Sequence, residues 1–357
     1  MNNFRIFSKS FLAFIIFFSI YSFSCTDPAE GDDNTLIPSN LKINFDLAGK
    51  SADLPCGDGS GIISFKLSAD HVKNYKILID QELIESNTGV FDYKCKKIGT
   101  TDYKVVVSAY NGTKFVSESM MITVYVKAAL LWSDEFEYNG TPDNKKWSFE
   151  IGNGSNGWGN NEKQYYTSRP VNAIVENGVL KIKTLKENFQ GFGYTSARMI
   201  SRDFFTFKYG IIEFRAKLPE GKGTWPALWM LGNNIGSVGW PACGEIDVME
   251  HVGNQLNKIY GTVHHPGHSG SNPDGGTVMI ENVTKEFHVY KVDWSADYIR
   301  FFVDDQLYYT FANAASLPFN QPYFIIMNCA MGGNFGGTIE PSFEQSVFEI
   351  DYVRVYQ

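Results

Sequence analysis

Along Ile212 to Leu218, the apolar residues Ile212, Phe214, Ala216 and Leu218 alternate with Glu213, Arg215 and Lys217. A period of two predicts a strand buried on one face. Tyr298 to Val303 and Leu307 to Phe311 are also extended in character and flank Asp304-Asp305, which predicts a hairpin turn. Ahead of about Lys127, short runs at Ile62 to Leu67, Tyr75 to Ile79, Tyr103 to Ala109 and Met121 to Val126 are separated by Gly, Asp and Asn turns. No long amphipathic helical pattern and no internal repeat interrupts them. The pattern predicts an all-β chain in two parts. Residues 37–127 are expected to form a small immunoglobulin-like β-sandwich, and residues 130–357 one large β-jelly-roll sandwich whose curved sheet can form an open cleft.

Composition divides the chain at the same place. All seven tryptophans lie at or beyond Trp132, and five of the six histidines lie beyond position 250, so the chemistry is expected in the second part. The formal charge is -8, which argues against a nucleic-acid partner, whose phosphates want a basic stripe.

The first residues bear on the compartment. Arg5 and Lys9 precede the apolar run Phe11 to Ile20, followed by Ser22, Phe23 and Ser24 before Cys25. This is the layout of a secretory signal, too short for a comfortable span of about 20 residues. Ending in a cysteine, it resembles a bacterial lipoprotein signal, which implies that Cys25 is lipidated and holds the protein at the outer membrane or cell surface. Residues 1–24 are then the signal peptide and 25–36 an acidic tether. Removing residues 1–24 takes away two of the 31 cations and none of the 39 anions, leaving a mature charge of -10. Cys56 and Cys95 could bridge in an oxidising envelope, though spacing alone does not establish it, while Cys243 and Cys329 read as small buried apolar residues.

The most informative stretch is Gly244-Glu245-Ile246-Asp247-Val248-Met249-Glu250. On a strand, Glu245 and Asp247 share one face and Ile246 and Val248 the other. Unbroken alternation would bury Glu250 among apolar residues at a cost of several kcal/mol. One extra residue, Met249, inserted as a β-bulge returns Glu250 to the side of Glu245 and Asp247. Three carboxylates on one strip raise at least one another's pKa, which supplies a protonated acid beside an ionised base or nucleophile. Glycoside hydrolysis needs such a pair, and a carboxyl separation of about 5 to 5.5 Å would mean retention. An exposed acidic edge strand, with or without calcium, is the bland alternative. Trp225, Trp229 and Trp240 lie just upstream and weigh against it, since indole faces stack on sugar rings at little entropic cost. Trp132, Trp147 and Trp294 are read as core.

Several elements occur in one order: Gly157-Trp158-Gly159-Asn160-Asn161-Glu162 through Gln164-Tyr165-Tyr166-Thr167, Tyr194 to Arg198, Gly221 to Ala227, Gly244 to Gly253, Gly261 to His264, Asn328 to Asn334, and Asp351 to Tyr356. Together they resemble glycoside hydrolase family 16, most of all its bacterial laminarinases, over residues 130–357. The N-terminal part resembles the immunoglobulin or PKD-type modules fused to such enzymes, without their usual aromatic-aspartate-phenylalanine-glycine-aspartate signature.

The resemblance implies a retaining endo-β-1,3-glucanase, monomeric and without a catalytic cofactor. It makes Glu245 the nucleophile, Glu250 the general acid and base, and Asp247 the residue that tunes the nucleophile. Trp225, Trp229 and Trp240 would line the glycone subsites, with Asn161, Arg198 and His264 offering hydrogen bonds. His251 stands where an aromatic residue is expected near the subsites. The resemblance also implies a structural calcium held by Glu135, Asp351 and the carbonyl of Gly178.

The bulged spacing is shared with agarases and carrageenases. A mature charge of -10 and no basic cluster near the motif favour a neutral glucan over sulfated galactans. Mixed-linkage glucan, agarose or a related galactan remains the alternative substrate. A transglycosylase and a non-catalytic glucan-binding protein are the other readings, and the intact carboxylates weigh against the last.

Two signals are set aside. Gly152 to Gly157 matches the dinucleotide pattern G-x-G-x-x-G without a helix behind it. His264, His265 and His268 suggest zinc, but Pro266 and Gly267 break the helix that an i, i+4 pair would need. No G-x-S-x-G elbow and no P-loop occur.

Overall fold

The protein is seen in a computed structural model that describes residues 36–357. The expected signal peptide, Cys25 and the tether up to position 35 lie outside the described residues. Packing divides the chain into two compact units, the larger formed by Leu47–Ile63, Lys94–Asp102 and Thr123–Gln357.

The N-terminal strands form two sheets. Ser39–Leu47, Ile62–Asp70 and Val90–Lys94 make one, and Glu82–Ser86, Asn74–Ile79, Gly99–Asn111 and Lys114–Val126 the other, in those orders. The alternation places Ile63, Phe65 and Leu67, and likewise Tyr103, Val105, Val107 and Ala109, in the interior. Glu82–Ser86 buries no residue and Val90–Lys94 buries only Tyr93, so neither carries an apolar pattern from which sequence could place it.

The rest of the chain builds a two-layer sandwich. One sheet has seven strands, ordered Asp274–Met279, Lys258–His264, Glu245–His251, Thr224–Gly232, Tyr323–Met331, Arg198–Ile200 and Ser148–Phe149. In the ten-stranded partner, Gln345–Tyr356 lies between Val179–Phe189 and Gly210–Lys217. Ile212, Phe214, Phe348 and Ile350 of that sheet pack with Leu228, Met230, Ile246 and Ile325 of the seven-stranded one in a single buried cluster. Burying each such side chain contributes about 1.5–3 kcal/mol.

The strands Thr224–Gly232 and Tyr323–Met331 are buried at almost every position. Their even-numbered residues Leu228 and Met230 enter the main core, while Ala227, Trp229 and Leu231 join Ile200, Cys243, Phe324 and Ile326 in a second cluster on the opposite face. That second face floors the cleft described below. Coverage on both sides explains why these strands read as continuous apolar runs.

The Asp304-Asp305 hairpin forms as expected: both residues have positive φ, 47° and 64°, between strands Tyr298–Val303 and Gln306–Ala312, as a two-residue primed turn requires. Among the described residues the helices are single turns, at Gly157–Asn161, Ile235–Val238 and Gly333–Gly336, and none is long and apolar enough to cross a membrane. Cys243 and Cys329 are buried, and no disulfide joins the cysteines of the described residues.

Candidate active site

Glu245, Asp247 and Glu250 all line one cleft of about 820 Å³ on the seven-stranded sheet. The bulge that aims them is present. Ala227 pairs with Glu250 and Leu228 with Met249, but Trp229 pairs with Asp247, so Val248 is left without a partner on that side. On the other side Asp247 pairs with Thr262 and Glu250 with Tyr260. Val248 and Met249 are both buried in the core. Two consecutive side chains therefore turn inward, and Glu250 returns to the cleft. The unpaired residue in the ladder with Thr224–Gly232 is Val248, where the sequence placed the insertion at Met249.

Each outer carboxylate has an indole donor. Trp240 Nε1 donates to Glu245 Oε2 at 3.0 Å, and Trp225 Nε1 donates to Glu250 Oε1 at 2.9 Å. Thr262 Oγ1 adds a long bond of 3.5 Å to Glu250 Oε2. His264 Nε2 stands 3.3 Å from Asp247 Oδ2 and 3.6 Å from Glu245 Oε1. Desolvation raises the pKa of all three carboxyl groups. Burial and the charge of Asp247 push Glu245 up to about 8. Asp247 rises through burial and the charge of Glu250, while Glu250 rises through burial, opposed by the Trp225 bond. The strip therefore holds fewer than three charges at neutral pH, which relieves the repulsion among its carboxylates.

Aromatic residues wall the cleft. Trp225 meets Phe335 edge-on at 5.4 Å, and Phe335 meets Tyr260 edge-on at 5.0 Å. Trp240, 47% exposed, stands over the other end, 5.8 Å from the His264 ring. Trp229 is buried in the floor, its Nε1 donating to Asn328 Oδ1 at 2.7 Å. The Arg198 guanidinium lies 4.2 Å from the Trp158 ring and 4.8 Å from that of Trp229, and its Nε donates to Glu150 Oε2 at 2.5 Å. Among the described residues that line the cleft, Arg198 is the one Arg or Lys.

Of the residues singled out from sequence, Trp225, Trp229, Trp240, Arg198 and His264 line the cleft. Asn161 does not; its Nδ2 donates to Asn334 Oδ1 at 2.8 Å, and it is Asn334 and Asn160 that face the cavity. His251 is fully buried beside the bulge and takes no part in the cleft. The sequence reading missed Glu162, Tyr260 and Phe335 as lining residues. Glu162 is held by Gln164 Nε2 at 2.6 Å and Tyr166 Oη at 3.2 Å, and burial raises its pKa. Its position depends on Gly157, where a Cβ would lie 2.3 Å from Glu162 N. That crowded Gly was the available signal.

Two of the residues expected to hold calcium have arginine partners. Arg354 Nε and Nη2 grip Glu135 at 3.0 and 2.8 Å and hold its pKa down. Arg215 Nη1 donates to Asp351 at 2.6 Å. Both carboxylates are thus neutralised by arginine, and Gly178 has its own reason to be glycine: with Asn177 it makes a turn at positive φ, 57° and 78°, between Ala173–Glu176 and Val179–Phe189.

The model of the glycosyl hydrolases family 16 matches residues 160–354. A β-glucanase of Rhodothermus marinus is 45% identical over 244 residues, covering 64% of this chain and 85% of its own. A glucan endo-1,3-β-glucosidase of Cryptopygus antarcticus is 38% identical over 249 residues, covering 62% and 90%. The crystal structure of the laminarinase from Rhodothermus marinus superposes with a TM-score of 0.61 at 44% identity, over 64% of this chain and 97% of that one.

Proposed function

The chain belongs to the glycosyl hydrolases of family 16, and we propose that within that family it is a retaining endo-β-1,3-glucanase that cuts β-glucan at the strip Glu245, Asp247 and Glu250. The observation that carries this reading is the bulge at Val248-Met249, which turns all three carboxylates into one tryptophan-walled cleft. In the proposed cycle Glu250, protonated, gives its proton to the leaving glycosidic oxygen while ionised Glu245 attacks the anomeric carbon. Water, deprotonated by Glu250, then releases the glycosyl group from Glu245 with net retention. Asp247 carries a proton between its own oxygen and that of Glu245, which keeps the nucleophile ionised in a buried site. No step needs a cofactor.

Trp240 and Trp225 offer ring faces to sugar, and Arg198 stacks on Trp158 and Trp229 in the floor. A cleft with five carboxylates and Arg198 already paired to Glu150 suits a neutral glucan and repels sulfated chains. The names of two relatives, a β-glucanase and a glucan endo-1,3-β-glucosidase, support the same choice. Residues 130–357 are taken as the catalytic part, acting as a monomer, with 37–127 as an accessory module. The sequence before Cys25 supports export and lipid anchoring at that residue, which would display the enzyme at the envelope surface.

The test is product analysis with laminarin, mixed-linkage β-glucan, agarose and carrageenan in parallel. Short β-1,3 oligosaccharides of retained configuration from laminarin are expected. Cleavage confined to a galactan would overturn the substrate, and products longer than the substrate would make the enzyme a transglycosylase.

A further inference from the structure

Beside the cleft, His265, His268 and Asp274 converge on one point. His265 Nε2 lies 2.9 Å and His268 Nδ1 3.1 Å from the same oxygen, Asp274 Oδ2. A short turn brings the two histidines together. Their backbones exchange N–H to O bonds of 2.9 Å in both directions, with Pro266 and Gly267 at the turn's centre and Gly267 at φ 89°. That is the place and conformation of Pro-Gly in a type II turn. The sequence that breaks a helix here is the one that sets the rings face to face, 5.0 Å apart and 18° from parallel. Asp274 opens the neighbouring strand, opposite Val263.

The hydrogen-bond requirements of His265 point to what sits between these groups. Its Nδ1 lies 3.2 Å from the carbonyl oxygen of Pro266, and its Nε2 faces a carboxylate. Both partners are acceptors, whereas a neutral imidazole has one N–H. If Nδ1–H donates to the carbonyl, Nε2 presents a lone pair toward Asp274 and His268. Metal-bound histidines are held in this way, the outer N–H on a backbone carbonyl and the inner nitrogen on the ion. The His265 ring is buried and fixed in orientation by Phe319, edge-on at 5.8 Å, and Phe311 at 5.6 Å. His268 is exposed on one side, which leaves water a way in.

We propose that His265 Nε2, His268 Nδ1 and Asp274 Oδ2 bind one divalent transition ion of the zinc or copper type, with water completing the shell. The three ligand atoms lie within 4.8 Å of one another, so an ion with bonds of about 2.0–2.2 Å needs only small shifts to enter. Two imidazoles and one carboxylate favour zinc and copper over calcium or magnesium. The ion would close residues 269–273 into a chelate ring. Because Gly270, Ser271 and Pro273 line the cleft, it would also fix one wall of the substrate channel.

The competing site is the group Glu245, Asp247 and His264, which has one imidazole instead of two. The experiment therefore counts imidazoles. Untagged protein, stripped with a chelator, is titrated with zinc by calorimetry, and its copper(II) adduct is examined by electron paramagnetic resonance. One ion per chain is expected, with two imidazole nitrogens coupled to copper. His268→Ala and Asp274→Asn, each at a partly exposed position, should weaken binding by more than the roughly 10–100-fold that loss of an outer-shell partner costs. No zinc binding up to about 1 mM, or a one-imidazole spectrum abolished by Glu245→Gln and kept in His268→Ala, would overturn the proposal.

Discussion

Trp240 Nε1 donates to Glu245 Oε2 across 3.0 Å, and the same indole is the most exposed tryptophan at the cleft. One side chain thus serves the carboxylate and offers its ring to substrate. A bond to an ionised carboxylate contributes about 1.5–3 kcal/mol, so its loss should raise the pKa of that group by about one unit or more. Trp240→Phe keeps a ring and removes the donor. The acidic limb of the kcat/KM profile is expected to move up by about one unit, with the alkaline limb in place. A uniform loss at every pH would mean that the indole acts only through stacking.

The outer carboxylates should separate by leaving group. Glu250→Gln is expected to cost about 10²–10⁴-fold on laminarin and far less on an aryl β-glucoside oligomer whose leaving group needs no proton. Glu245→Gln should be inactive on both. Equal losses for the two variants on the activated substrate would remove the assignment of nucleophile and acid.

The residues that sequence could place are those whose burial is one-sided. Ile212, Phe214 and Ala216 alternate because one face of their strand is wet, and the Glu250 bulge is legible because regular alternation would bury a charge. Legibility ends where position depends on loops. Phe335 and Tyr260 meet only in three dimensions, and Asn161, beside the cleft in sequence, turns away to hold Asn334. Pro266-Gly267 breaks the helix that an i, i+4 histidine pair would need, yet the same turn apposes His265 and His268. No local pattern reveals that Arg354 and Arg215 take up Glu135 and Asp351, two of the residues expected to hold calcium.

The strip should also cost stability, in a direction fixed by pH. The pKa of Glu245 is raised from 4.5 to about 8 in the folded chain. The native state therefore binds this proton more tightly than the unfolded state, and its contribution is lost as pH rises from about 4.5 through 8. Glu245→Gln cannot ionise and escapes that loss. Its Tm relative to the parent is expected to climb between pH 5 and pH 8.5, by about 2–4 °C for each kcal/mol relieved. A constant difference across that range would show that burying this charge costs nothing.

His251 should set the opposite trend at acid pH. It is fully buried beside the bulge, neither ring nitrogen has a hydrogen-bond partner among the described residues, and burial pulls its pKa down from 6.5 to about 4. A lowered folded-state value means that its contribution is whole above about 6.5 and is lost as pH falls toward 4, by about 3 kcal/mol at most. An apolar side chain of similar size neither ionises nor leaves polar atoms unpaired. His251→Leu is therefore expected to stabilise the fold by about 1–3 kcal/mol at pH 7, with a larger gain at pH 4.5, as measured by urea unfolding. Activity should persist, because the ring faces the core and not the cleft. A variant less stable at both pH values would mean that the imidazole makes a packing contact that leucine cannot replace, and that acid sensitivity arises elsewhere.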